Sequence, residues 1–265
     1  MTEAPARTSF PWLWPYGEHA AWCFHDFSNP GSVSLRLNQL LNGRALQAPL
    51  FVHSKENFGA LAYEHAVRDG SIPTRDLGHD WYNGHVWLTF TAAKKALNDR
   101  HIQDSLSVER VGGNGRSRLR DALTLFDENV LLVQAPIEQW EALQQHHWHT
   151  LLVAHRQDWR PLGLQDRAPG LRPVVFGHAL LEKLCQPYKA VTAHAFWVDP
   201  AVPATETAWD IWLSHRLDAN FMATKPFQPL PVMGIPGWCE DNDHASFYED
   251  AQVFRPLRRS SSAGR

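Results

Sequence analysis

Residues 120–134, RDALTLFDENVLLVQ, carry the choice of fold, because β-prone runs stand on either side of the polar triplet Asp127-Glu128-Asn129. Asp and Asn side chains bond their own backbone and favour chain reversal, so this pattern predicts strand, turn and strand. A second strand signal is the alternation in AVTAHAFWV, residues 190–198. Elsewhere helical patterns dominate. The fold class expected is therefore α+β, a mostly helical single domain with a small antiparallel sheet.

Working outward, GHDWYNGHVWLTF (78–90) places Trp81, Tyr82, Val86, Trp87, Leu88 and Phe90 at helical spacing, and Thr91 starts a further helix, TAAKKALNDRH. Before it, SIPTRD reads as a loop, since Pro73 pushes Ile72 away from helical angles. Ser54 is placed to cap a helix over KENFGALAYEHAVRDG, and leucines 35, 37, 40 and 41 give a short helix that Asn42-Gly43 ends. Pro136 suits the first turn of PIEQWEALQQHHWHTLLVAHRQDW, and VVFGHALLEKLCQP reads as mostly helical. Thr205 or Thr207 caps ETAWDIWLSHRLDANFM, and KPFQPLPVMGIPGWCED is an extended, proline-punctuated stretch. Residues 1–33 read as an irregular arm packed on the body by Trp12, Trp14 and Trp22, residues 34–258 as one globular domain, and 259–265 as a flexible tail.

The 265-residue chain is long enough for a substantial core, and its 25 basic and 28 acidic residues, net −3, argue against a coat for nucleic acid or anionic membrane. No apolar run is long enough to span a membrane and no secretory leader is visible. The three cysteines, Cys23, Cys185 and Cys239, are far apart and odd in number, which predicts no disulfide framework, no disulfide-linked partner and a cytoplasmic setting. Unusual are the 12 Trp and 15 His. They indicate a ligand pocket or an aromatic core with many polar contacts.

Polar clusters fall at His79-Asp80 with Asn83, at Asp127-Glu128-Asn129, at His178 with Glu182, and at His194. Four-residue spacing puts His79 and Asn83, and likewise His178 and Glu182, on shared helix faces. Imidazole and carboxylate together suit a divalent ion such as zinc, manganese or iron, with His79, His178, Glu182 and His194 as ligands. Asp80, Asp127 and Glu128 would then be catalytic, and Asn83, Trp81, Trp87, Arg75 and Arg120 would bind substrate. The reaction class expected is metal-dependent hydrolysis. Each cluster has a plainer reading: Asp80 as a helix cap with His79 stacked on a Trp, the Asp-Glu-Asn triplet as a turn, and His194 as a satisfied core histidine. The run HHWH (146–149) is a weaker metal candidate. A rival reading is a non-catalytic module that binds a small molecule or RNA on Trp81, Trp87 and Trp197 beside Arg75, Arg116, Arg118 and Arg120.

The blocks GHDWYNGHVWLTFTAAKKALNDRH, RDALTLFDENVLLV, VVFGHALLEKL, TAHAFWV, PLPVMGIPGW and FYEDAQVFRPLR resemble, in order, those of the bacterial family known as domain of unknown function 3025. The resemblance spans roughly residues 50 to 258 and implies a bacterial cytoplasmic protein without assigning an activity. It also implies proline near Thr91 and glycine at Val130, and the chain departs from both.

Overall fold

The computed structural model describes residues 10–17, 19–20, 29–42, 48–56, 58–110 and 117–257. Trp22, Cys23, Gly43, Arg116 and the 259–265 tail lie outside them. The described part of the N-terminal arm is a 3-10 turn, Pro11–Tyr16, that buries Trp12, Leu13 and Tyr16 in the main core, where the Tyr16 hydroxyl donates to the Val175 carbonyl.

Helix α1 (Ser32–Asn42) leads to strand β1 (Leu50–His53). Asn38 of α1 bonds both backbone groups of Phe51, at 2.7 and 3.0 Å, and so covers the outer edge of β1. Helix α2 (Ala60–Arg68) then crosses to strand β2 (Ser71–Thr74), which pairs with β1 in parallel, Leu50 opposite Ser71. The SIPT segment is thus a strand rather than the loop expected, with Pro73 tolerated in a two-stranded edge. Ser54 stands outside α2, whose first turn follows Gly59.

Helix α3 (Gly78–Thr89) is buried from Asp80 through Leu88 and runs through the centre of the molecule. A Cβ on its Gly84 would lie 2.2 Å from a Leu37 methyl, so glycine lets α1 pack directly on it. Helix α4 (Thr91–Arg110) follows at once. Thr91 does not cap it, because its hydroxyl bonds back to the Trp87 carbonyl at 2.7 Å; the free amides of Ala92 and Ala93 go instead to Asp210, at 3.0 and 2.8 Å.

The hairpin expected at 120–134 is not formed. Helix α5 (Arg118–Asn129) takes RLRDALTLFDEN, capped by Ser117, whose Oγ accepts from the Arg120 amide at 2.9 Å. Leu119, Ala122, Leu123 and Phe126 recur at i, i+3, i+4 and i+7, and that apolar face outweighs the β propensity of the individual residues. Asp127-Glu128-Asn129 is the last helical turn. Val130, extended and fully buried, opens strand β3 (Val130–Gln134), so glycine's freedom is not needed there.

Helix α6 (Ile137–Gln144), strand β4 (Arg172–Val175), helix α7 (His178–Lys183), strand β5 (Thr192–Val198), helices α8 (Glu206–Arg216) and α9 (Ala219–Ala223), and strand β6 (Gln228–Pro231) complete the chain. Thr205 caps α8, as expected, and Asp218 caps α9. The main sheet runs β4-β3-β5-β6, with β3 and β5 parallel and both edge strands antiparallel to their neighbours. The fold is α+β and mostly helical, and its sheet is mixed rather than purely antiparallel. All five residues of β3 are buried, which suits an unbroken apolar run between two neighbours. Prolines 173, 229 and 231 sit in the edge strands, where an absent donor costs least.

Among the described residues no helix is long and apolar enough to cross a membrane, and Cys185 and Cys239 are not joined in a disulfide.

Candidate active site

The end of the sheet where β3 starts and β4 stops brings α5 and α7 together. The amides of Phe176 and Gly177 both donate to the Val130 carbonyl, at 3.0 and 2.9 Å. A Cβ on Gly177 would lie 2.5 Å from the Glu128 carbonyl and the Asn129 amide, so only glycine lets the first turn of α7 lie against the last turn of α5. That contact sets His178 beside Asp127, with Nδ1 3.8 Å from Oδ2. Helix α3 supplies His79 from its start, and α2 and α4 close the other walls.

The result is a cleft of about 460 Å³ that gathers Arg75, His79, Asp80, Asn83, Arg120, Asp127, Glu128 and His178 from the residues singled out by sequence. Glu182 joins through His79. Trp81 and Trp87 do not take part as binding surfaces. Both are buried in the core, Trp81 with its indole N–H on the Ala20 carbonyl at 3.2 Å. His194 lies on β5, opposite Val130, and its ring meets Asn129 at 3.0 Å and Phe227 edge-on. It stands one strand away from the cleft, and burial lowers its pKa.

Asp80 is committed elsewhere. Its carboxylate accepts from the Arg75 amide at 2.6 Å and from the guanidinium at 3.0 and 2.7 Å, a bidentate clamp that fixes the entry to α3. Asp80 lies in the first turn of α3 rather than before it, and the carboxylate that lines the cleft is held by Arg75. His79 meets His178 edge-to-face rather than stacking on a tryptophan, with ring centroids 4.5 Å apart and the planes at 78°. His146, from the HHWH run, bonds the Arg255 carbonyl at 2.9 Å, far along the chain from the cleft residues.

The predicted ligands form a hydrogen-bonded chain. His79 meets Glu182 through Nδ1, at 3.0 Å, and His178 through Nε2, also at 3.0 Å. Because Glu182 and His178 take opposite edges of one ring, the three do not converge on a point. Among the described residues no group of three His, Cys, Asp or Glu side chains is set to hold a metal ion.

At the bottom of the cleft, Lys94 is buried and donates to Asp127 at 2.5 Å and to Asn83 at 2.9 Å, with its ammonium 5.4 Å over the Trp87 ring. Asn83 in turn donates to the Tyr63 hydroxyl at 2.9 Å. Burial works to raise the Asp127 carboxyl, but the Lys94 ammonium, through its charge and its hydrogen bond, outweighs it and holds the carboxyl below the usual carboxylate range. Glu64, on α2, goes the other way. Burial lifts its carboxyl to about 7, the Asn98 amide at 2.5 Å opposes the rise, and the Asp127 charge adds to it. Burial also keeps His178 neutral, down to about 3, and His101, down to about 4.

Lys94, Glu64, Tyr63 and His101 were not singled out by sequence. Lys94, Asn98 and His101 stand at i, i+4 and i+7 of α4, a polar stripe on the face of α4 turned towards the cleft. That stripe was the available signal.

Fold and cleft together define an α+β protein with a set of opposed acid and base groups at one end of its sheet. The chain belongs to the family described as Protein of unknown function (DUF3025), whose model matches residues 50–258 and so includes every cleft residue named above. No curated protein and no solved structure matches the chain.

Proposed function

We propose that the cleft is the active site of a hydrolase acting on a small polar substrate, with Glu64 as proton donor and Asp127 as proton acceptor. The observation that carries this reading is one cleft holding two carboxyl groups in opposite surroundings, Asp127 on the Lys94 ammonium at 2.5 Å and Glu64 buried against the Asn98 amide at 2.5 Å, so that burial lifts Glu64 to about 7 while Lys94 keeps Asp127 below the usual carboxylate range. Environments that push two such groups apart assign acid and base. Asp127 takes a proton from the attacking water as its oxygen bonds the electrophilic centre, and Glu64 gives its proton to the leaving group. Arg120 and His101 stand on the same wall and are placed to orient polar substrate groups.

A divalent ion is not needed for these roles, and loading one at His79 would first break its bond to Glu182 or to His178. A ligand- or RNA-binding module would draw its stacking faces from Trp81, Trp87 and Trp197; the burial of the first two speaks against it, and Trp197, partly buried on β5, donates its indole N–H to the Ala135 carbonyl at 2.8 Å.

The test is a panel of ester, amide, phosphoester and glycoside substrates against the wild type, Glu64→Gln and Asp127→Asn, with elemental analysis of the same preparations. Hydrolysis that falls roughly 10²–10⁴-fold in either variant, with folding intact, supports the assignment. Rates unchanged in both variants place the chemistry elsewhere. Stoichiometric metal lost in folded His79→Ala and His178→Ala variants replaces the reading with a metal-centred one.

A further inference from the structure

The Glu182–His79–His178 chain is hydrogen-bonded from a half-exposed carboxylate inward, and one 3.8 Å gap separates it from Asp127 at the floor of the cleft. Its inner contacts are 3.0 Å from Glu182 to His79 and 3.0 Å from His79 to His178, followed by the 3.8 Å step to Asp127. We propose that this chain is a proton relay that carries a proton from Asp127 out to His79, with His178, His79 and Glu182 as positioning residues. The proposal rests on the reading of the cleft as an acid–base site and adds where the proton goes.

Two facing imidazole nitrogens at 3.0 Å hold one hydrogen between them. An ionised Glu182 only accepts, so His79 Nδ1 carries a hydrogen. In the resting state His79 Nε2 is then bare and accepts from His178 Nε2–H, which leaves His178 Nδ1 as a bare nitrogen facing Asp127. That nitrogen is buried and makes no hydrogen bond of normal geometry, with the Asp127 carboxylate at 3.8 Å and the Asp127 backbone beside it.

When Asp127 has taken a proton from water, its O–H bond breaks as His178 Nδ1–H forms. The His178 Nε2–H bond breaks as His79 Nε2–H forms. His178 stays neutral throughout and only reverses its tautomer, which agrees with the burial that opposes its charging. The positive charge appears on His79, about a third exposed, beside the Glu182 carboxylate, and its Nδ1–H bond breaks as the proton passes by way of Glu182 to solvent. The 3.8 Å step closes to hydrogen-bond distance with a movement of about 1 Å.

The charged groups facing the two rings are few. Asp127 comes from α5 and Lys94 from α4, Glu182 lies on the second turn of α7, and Arg75, paired with Asp80, precedes α3. The Asp127 charge in turn works to raise the Tyr63 hydroxyl and the Glu64 carboxyl of α2.

The experiment is ¹⁵N NMR of the whole chain, labelled at histidine and treated with a chelator, followed as the pH is lowered. The expected result is that His178 moves its hydrogen from Nε2 to Nδ1 as His79 becomes charged, without itself becoming imidazolium. His79→Phe loses the reversal, and Glu182→Gln shifts it to lower pH, because a neutral amide does not stabilise the imidazolium; thermal melts establish that both variants fold. A single His178 tautomer at every pH, or a His178 that charges together with His79, overturns the relay. The readout needs no turnover. Failure of the relay therefore leaves the Glu64 and Asp127 assignments standing, and failure of the substrate panel leaves the relay standing.

Discussion

Lys94 shows how much one side chain decides. Its ammonium satisfies Asp127 and Asn83 in a place where neither can reach bulk water freely. Removing one partner of such a pair leaves the other charge uncompensated, so Lys94→Met is expected to cost about 3 kcal/mol in chemical denaturation. The Lys94→Met/Asp127→Asn double variant is expected to lose less than the sum of the single changes. Additive losses would show that the two groups do not interact. Protons act on the same residues. His178 and His101 refuse protons down to about 3 and about 4, whereas unfolded they protonate near 6.5, so each stabilises the fold above 6.5 and loses that contribution as the pH falls. By pH 5 the loss is about 2 kcal/mol for each. Glu64 has the opposite sign: its raised pKa means a contribution present below 4.5 and lost as the pH rises through about 7. The two trends oppose each other between pH 5 and 7. Glu64→Gln is therefore expected to steepen the rise of stability with pH in that window, measured by urea midpoints; an unchanged slope would contradict the Glu64 assignment.

At the scale of elements, the site depends on the contact between α5 and α7 through Gly177. Gly177→Ala puts a methyl group against the Glu128 carbonyl and the Asn129 amide, and the backbone cannot move aside as a flexible side chain would. The expected cost is about 2 kcal/mol, with His178 displaced from Asp127, read as a lower thermal midpoint and a changed His178 NMR signal. A fully stable Gly177→Ala with an unchanged His178 signal would show the contact to be looser than described. The same contact explains which parts of the structure were legible in the sequence. Helix α3 and strand β5 carry clear periodicities and appear where their patterns put them. In the FDEN segment, local turn chemistry and the apolar face of Leu119, Ala122, Leu123 and Phe126 point to different structures. Packing against the sheet favours the helix. Helix and strand meeting at Asn129-Val130 then places two carboxylates at the mouth of the sheet, where a hairpin would have put them at an exposed tip. His79, His178 and Glu182 were foreseen as neighbours, but their arrangement as a chain rather than a cage depends on ring edges, and spacing says nothing about those.

For the whole molecule, one continuous core runs from the N-terminal turn through α3 to the sheet. The cleft lies where that core stops, bounded by four helices and a sheet end, so its polar groups are held by elements whose apolar faces are buried elsewhere. That arrangement keeps Lys94 and His178 inside while leaving Glu182 at the surface. The central claim is that one cleft holds a carboxyl lifted near neutrality next to one held ionised. The most direct measurement is a ¹³C NMR titration of the chain labelled at glutamate side-chain carboxyls. One carboxyl is expected to titrate near 7, absent in Glu64→Gln and shifted to lower pH in Asp127→Asn, since the Asp127 charge contributes to the rise. Glutamate carboxyls that all titrate below about 5 would contradict it.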